Sequence, residues 1–356
     1  MNERRACINA IGCAVPDQDV HSPFIRWASQ QLVDERARSL FVRMAERSGI
    51  NHRWSVLPQM DAEASPVDPG GFYADAMPST SQRMQLYHRY APELALRAID
   101  ALRAKIVLDG VTHLVVASCT GFVAPGVDQI IADALGLVDV ERTLVGFMGC
   151  YAAVAALRTA RHIVRSEPDA RVLVVTVELS SLHLQREQQV ERLLMMLQFG
   201  DGAAAALVSA QDRGFAMDAP FAINLAGSAD LIRWEIGDAG FVMHLSGEVP
   251  SRIQTALRDN GVRDRICGST DPASVANWAV HAGGRSILDA VENGMDLQPD
   301  ALAVSRGILA RHGNMSSATL MFILGDLLDE GSSGPGVALA FGPGVAAEGF
   351  RFSRAG

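Results

Sequence analysis

The sequence predicts an α/β protein made of two fused halves with largely parallel sheets. Three observations carry that expectation. Short apolar runs of strand character alternate with helical runs from one end of the chain to the other. The alternation restarts after a polar stretch at Gln211–Asp218, which divides the chain into residues 1–211 and 212–356. Hydrophobic residues make up 49% and charged residues 20% of the 356, enough to fill one large shared core.

Taken in order, residues 1–20 read as a strand closed by a Pro-Asp turn, not as a signal peptide, because the apolar run is short and interrupted by Asn9. Residues 23–48 have helical periodicity, with Leu40, Phe41, Met44 and Ala45 on one face and Arg36, Arg43 and Arg47 away from it. Residues 58–80, rich in Pro, Asp, Gly and Ser, read as an irregular loop, and 81–108 as a long helix. HLVVASCTG is a buried strand, and FVAPGVDQIIADALGL a loop into a helix. ARVLVVTVELSSLHL is a strongly apolar strand holding Glu178, a carboxylate that must be paired or functional. LQFGDGAAAALVSA is a Gly-Asp-Gly turn into a strand. In the second half, LIRWEIGDAGF alternates as a strand, with Trp234 on the side of Ile232 and Ile236. NWAVHAGGRSILDAVENG reads strand, turn, helix; GILARHGNMSSATLMFILGDLL reads helix, turn, then helix or strand; PGVALAFGPGVAAEGF reads strand, glycine turn, strand.

Composition excludes several functions. A formal net charge of −9 argues against nucleic-acid or membrane-surface binding as the main role. Five scattered cysteines with no CxxC pair and no zinc spacing suit free thiols in a reducing cytoplasm. No uncharged stretch approaches the length of a membrane span.

The chain is organised around GFMGCYAAVAAL, Gly146 to Leu157. Cys150 sits where a strand or turn feeds a helix N-terminus, whose free N–H groups and dipole favour a thiolate. A small apolar Cys filling core space is the competing reading, and this stretch alone does not separate the two. His281 and Asn314 occupy the same kind of place, a turn after a buried apolar element. Cys with His makes an activated nucleophile, and His with Asn can point two N–H groups at one developing oxyanion. Singly, a core His and a capping Asn are the plainer readings; the three together point to a site. Arg43, Arg47 and Arg53 read either as a solvated face or as phosphate ligands.

GFMGCYAAVAALR, FGDGAAAAL, WAVHAGGRSILDAVE, GNMSSAT and AFGPGVAAE, in this order along the chain, resemble the type III polyketide synthases, the chalcone-synthase-like family. SCTGFVAPGVD and PSTSQRMQLYHRYAPELALRA resemble its bacterial and fungal branch. The resemblance implies the thiolase fold, a five-layered αβαβα sandwich of two fused halves, and a homodimer. It implies a catalytic triad of Cys150, His281 and Asn314 acting on an acyl-CoA starter and malonyl-CoA, with no metal or redox cofactor. Phe199 matches the aromatic gatekeeper, and Met243 stands where many plant members carry a second gatekeeper Phe. Cys119, Thr120, Ser180, His183, Ile232 and Trp234 map onto cavity-lining positions, and Ala124 onto the residue passed into the neighbouring subunit's cavity. Arg43, Arg47, Arg53, Gly284 and Ser286 map near the CoA site. The family's HPGG stands here as His281-Ala282-Gly283-Gly284, its GFGPG begins with Ala340, and Ser180 replaces a Cys common in the bacterial branch. These departures bear on cavity shape and product, and no catalytic group is lost. Two rivals remain: a β-ketoacyl synthase making one condensation onto a carrier protein, and a catalytically silent relative serving as a binding subunit.

Overall fold

The computed structural model describes residues 5–58 and 64–356, so part of the expected 58–80 loop and the first four residues of the expected first strand lie outside the described residues. The chain begins β1 (Cys7–Ala14), β2 (Gln18–Asp19), α1 (His21–Gln31), α2 (Glu35–Glu46), β3 (Trp54–Ser55) and α3 (Thr80–Arg103). It continues β4 (His113–Ser118), α4 (Val127–Leu135), β5 (Glu141–Gly146), α5 (Ala152–Ser166), β6 (Val172–Leu179), α6 (Val190–Met196) and β7 (Asp201–Ser209). Then come β8 (Gly214–Asn224), β9 (Ile232–Gly237), β10 (Gly240–Leu245), α7 (Val249–Leu257), α8 (Asn260–Cys267) and β11 (Asn277–Val280). The last elements are α9 (Arg285–Gly294), α10 (Ala303–His312), α11 (Ser317–Asp329), β12 (Pro335–Gly342) and β13 (Ala346–Ala355).

Nine strands form one sheet in the order β11-β12-β13-β8-β1-β7-β6-β4-β5. The seam is narrow: β1 meets β8 only at Cys7↔Ala216 and Ile8↔Phe215. Five strands therefore lie on one side of it and four on the other. The expectation of largely parallel sheets is corrected. Only β11–β12, β4–β5 and β4–β6 are parallel; the other neighbours run antiparallel. Parallel neighbours need a long crossover, whereas the short Gly-Pro-Gly link between β12 and β13 permits only an antiparallel return.

Two helices fill the space between the two sheet blocks. α5 packs on β4, β6 and β7 of one block and on β13 of the other, and α11 packs on β1, β6 and β7 and also on β11 and β12. α3 and α4 cover the first block, and α8 and α10 pack on the second, which gives the five layers. α11 settles the helix-or-strand ambiguity by composition. SATLMFILGDLL is apolar nearly all round, as a helix buried between two sheets must be. β4, β6 and β7 are buried along their whole length and read accordingly as near-continuous apolar runs, with Glu178 and Asp201 as buried carboxylates within them.

The single helix expected over 23–48 is two. The chain breaks after α1, and Asp34 caps α2 by accepting from the Ala37 N–H at 2.9 Å. Phe41 and Ala45 are buried against α1 and α6 as expected, but Leu40 and Met44 face solvent, because α2 packs through a narrow stripe. In β9, Ile232 is buried, whereas Ile236 is 58% exposed near the tip of the β9–β10 hairpin.

Candidate active site

β5 delivers the chain to a single 3-10 turn, Gly149–Tyr151, and α5 starts at Ala152. This is the strand–turn–helix junction expected around Cys150. Gly149 has φ +73°, and a Cβ there would sit 2.5 Å from Pro343 Cδ, so the turn and the Gly-Pro-Gly link interlock only through a glycine. His281 follows the end of β11, held by its N–H donating to Leu339 O at 2.8 Å. Asn314 lies in the turn between α10 and α11, and its N–H donates to Gln198 O at 2.7 Å. Its side-chain Nδ2 donates to Gly283 O (3.2 Å), and its Oδ1 accepts from the Ser316 N–H (2.8 Å). Cys150, His281 and Asn314 thus come from three distant segments and line one cavity, which with its mouth encloses about 730 Å³.

His281 is buried, and neither ring nitrogen has a hydrogen-bond partner. Burial pulls its pKa down to about 3, so the ring is neutral. Burial, chiefly, and the charge of Glu178 push the Cys150 thiol up to about 12, against hydrogen bonds from Ser316 and Asn314 that lower it. Burial thus works against the thiolate expected at this helix N-terminus, because desolvation of Sγ outweighs the hydrogen bonds that favour it.

Glu178 is paired. Its Oε1 accepts from Cys119 Sγ–H (2.9 Å) and Ser317 Oγ–H, and its Oε2 from the Cys119 N–H (3.1 Å) and Thr120 Oγ1–H (2.9 Å). The carboxyl pKa is raised by burial and held back by these four donors. The network ties β6 to the end of β4 and to the start of α11. Ser316 and Ser317 are the residues that sequence reasoning missed. The only available signal was their place after Asn314 in GNMSSAT, and Ser316 adopts φ +48°, a strained conformation for a non-glycine residue.

The remaining expected residues separate by location. Cys119, Thr120, Ser180, Phe199, Ile232, Trp234 and Met243 all line the Cys150 cavity. Trp234 and Met243 face each other across the β9–β10 hairpin, and Trp234 Nε1 donates to Cys119 O at 3.0 Å. His183 lines a second, adjoining chamber instead, which with its open mouth spans about 870 Å³ and shares Ser180, Phe199, Trp234 and Met243 as its wall with the first. Both His183 nitrogens are used, by Thr120 O (2.7 Å) and the Phe241 N–H (3.0 Å), and the ring stacks on Phe241. Ala124 is exposed and lies outside both linings.

Arg43 on α2 and Arg47 at its C-terminal cap are exposed, and Arg47 O accepts from Arg285 Nη1 at 3.1 Å, which puts the end of α2 beside exposed Ser286 at the start of α9. Gly284 is buried there against Gln198, whose Oε1 would lie 2.0 Å from a Cβ. Arg53 is a correction: it is buried, and its guanidinium is committed to His21 Nδ1, Met196 O and Phe199 O, away from the α2 surface. Among the described residues no group of three or more His, Cys, Asp or Glu could hold a metal ion, and no helix is long and apolar enough to cross a membrane.

Residues 1–212 match the family described as chalcone and stilbene synthases, N-terminal domain, and residues 221–354 match its C-terminal domain. The alpha-pyrone synthesis polyketide synthase-like Pks18 of Mycobacterium tuberculosis is 30% identical over 348 residues, covering 91% of this chain and 84% of that protein. Among solved structures, PKS-I from the brown alga Ectocarpus siliculosus superposes with a TM-score of 0.87 at 27% identity, covering 98% of each chain. The C-terminal type III polyketide synthase domain of Steely1 from Dictyostelium shares the fold, with a TM-score of 0.88 at 24% identity over 99% of this chain and 100% of that one. With both family domains matched in sequence order over nearly the whole chain, and with the fold and a Cys-His-Asn cavity in agreement, this protein belongs to the chalcone and stilbene synthase family and is a type III polyketide synthase, an acyltransferase.

Proposed function

We propose that Cys150 carries the growing chain, that His281 and Asn314 stabilise the enolate, and that both starter and extender arrive as CoA thioesters. The observation that carries this reading is the buried His281 ring, with two unpartnered nitrogens in the same cavity as Cys150 and the Asn314 amide. A buried polar group without a partner is costly unless a ligand supplies one.

In the loading step the Cys150 proton passes to His281 as Sγ attacks the acyl-CoA carbonyl. A Cys–acyl bond forms, the acyl–CoA bond breaks, and the departing CoA thiolate takes the proton back. Malonyl-CoA then loses carbon dioxide, and N–H groups of His281 and Asn314 receive the charge that develops on its thioester oxygen. The resulting carbanion attacks the acyl-Cys150 carbonyl, which releases Sγ for reloading. Iteration and closure of the chain give a pyrone or resorcinol-type product. Nothing in this sequence of steps requires a metal or redox cofactor.

The starter we infer is a fatty acyl-CoA. An apolar second chamber behind the Trp234–Met243 wall supports it, as does the likeness to a protein named for alpha-pyrone synthesis. Arg43, Arg47, Gly284 and Ser286 would hold the CoA end at the junction of α2 and α9. Residues 1–211 would form the half carrying Cys150 and residues 212–356 the half carrying His281 and Asn314. The working unit we infer is a cytoplasmic homodimer: β5 is an edge strand with Leu144 49% exposed, and exposed Ala124 is free to enter a neighbour's cavity. The test is incubation with malonyl-CoA and a panel of acyl-CoAs without carrier protein, read by carbon dioxide release and product mass. Carbon dioxide and a cyclised polyketide are expected; no release without a carrier protein would overturn the reading.

A further inference from the structure

The second chamber is apolar along most of its wall, through Phe24, Leu57, Val67, Met196, Phe241 and Val242. Two polar side chains in that wall nevertheless have donors to spare. Arg53 is 4% exposed; its Nε donates to His21 Nδ1 (3.1 Å) and its Nη1 to Met196 O (3.2 Å) and Phe199 O (2.7 Å), but Nη2 has no partner. Ser65 is 2% exposed, and its Oγ has no partner either. Among the other polar residues of the wall, Tyr73 Oη donates to Ser181 O, Ser55 Oγ to Ser181 Oγ, Ser181 Oγ to Asp201, and Arg192 Nη1 to Glu187 Oε1. A desolvated cation and a desolvated hydroxyl in a mostly apolar wall are placed to read an acceptor that an alkane chain does not have.

We propose that this chamber receives the far end of the starter acyl chain and recognises an oxygen there, so that the preferred starter is an acyl-CoA whose tail ends in a carboxylate or hydroxyl. The shared chemistry is a hydrogen-bond acceptor within reach of Arg53 Nη2 or Ser65 Oγ. The proposal rests on the reading that Cys150 takes the starter. It concerns the tail, which lies across the Trp234–Met243 wall from the nucleophile.

The test measures loading alone. The full chain is mixed with one acyl-CoA at a time, without malonyl-CoA, and acylation of Cys150 is timed by intact-protein mass spectrometry. Three acyl groups of equal length are used, ending in methyl, hydroxyl and carboxylate. At least one oxygenated tail should load about tenfold faster than the methyl-ended one, because a site built around donors discriminates against an analogue lacking the acceptor. That ratio should fall in Ser65→Ala or in Arg53→Met. Ser65→Ala removes a hydroxyl that bonds to nothing in the free protein, so it decides the matter alone if Arg53→Met does not fold. Equal loading of all three tails by the wild type, or a preference that survives the substitutions, overturns the proposal and leaves the Cys150 assignment standing. Failure of every acyl-CoA to acylate Cys150 overturns both.

Discussion

At the scale of residues, the proposed roles separate carrying the chain from stabilising charge, and substitution should expose the separation. Cys150→Ala is expected to abolish polyketide formation while malonyl-CoA decarboxylation continues in part, since the oxyanion donors remain. Asn314→Ala should slow decarboxylation by about 10²–10³-fold, the usual cost of one oxyanion donor. Radiometric carbon dioxide release beside product mass spectrometry checks both; normal decarboxylation by Asn314→Ala would refute the assignment. The pH behaviour follows from burial of His281, whose pKa is lowered from 6.5 to about 3. A lowered pKa means that the neutral imidazole survives as pH falls through the ordinary histidine range. Decarboxylation by Cys150→Ala should therefore stay level from about pH 8 down to about pH 5, where an unshifted histidine would have titrated. A sigmoidal fall centred near pH 6.5 would show that the ring is solvated after all. That Cys150, His281 and Asn314 would meet was legible in the sequence because each lies in a turn after a buried apolar element, and they do line one cavity. The charge states were not, since they depend on how far Cys150 and His281 are desolvated, and that is set by α5, α11 and β11 together. Arg53 misled for the same reason. An arginine within a basic stretch looks solvated, and only the packing of β3 on the turn after α6 buries it.

At the scale of elements, the β9–β10 hairpin divides the two chambers. Trp234 is half-buried, is bonded to Cys119 O, and stands edge-on to both His183 and Phe241. Trp234→Ala should keep Cys150 loading and shift product length or ring type, because it merges the chambers beside the nucleophile. The stability loss should fall below the roughly 3–5 kcal/mol of a fully buried Trp. Product profiles and melting temperatures with one starter test this; a large loss of stability with unchanged products would make the indole simple packing. Alternation in LIRWEIGDAGF was enough to place Trp234 and Ile232 on one face. It could not say that the face is shared by two cavities, because the second chamber is assembled from α1, β3 and the segment before α6, far away in sequence. Element type was legible wherever one period dominated. Boundaries failed where a local cap intervened, as at Asp34, and strand direction failed because it is set by which strands meet, not by any one strand's residues.

At the scale of the molecule, β5 leaves one end of the nine-stranded sheet open, with Leu144 and Phe122 exposed beside the Cys150 turn. An open edge strand with an exposed leucine so near the site is what a second copy would cover. Leu144→Lys is expected to yield a monomer by analytical ultracentrifugation, with polyketide formation reduced if Ala124 enters a neighbour's cavity as proposed. A fully active monomer would remove the dimer from the mechanism.

The place of β1 in the sheet governs how this chain can be made. The strand leaves the ribosome long before its partners β7 and β8, which follow about 200 residues later. Until then CINAIGCA is an apolar strand with both edges unpaired, a state prone to misassociation. Synthesis arrested before β7 should therefore give chains that aggregate or stay bound to chaperones, whereas arrest beyond β8 should give soluble ones. Sedimentation of ribosome-released truncations would show the step, and activity would still be missing there, because His281 and Asn314 have not yet been made.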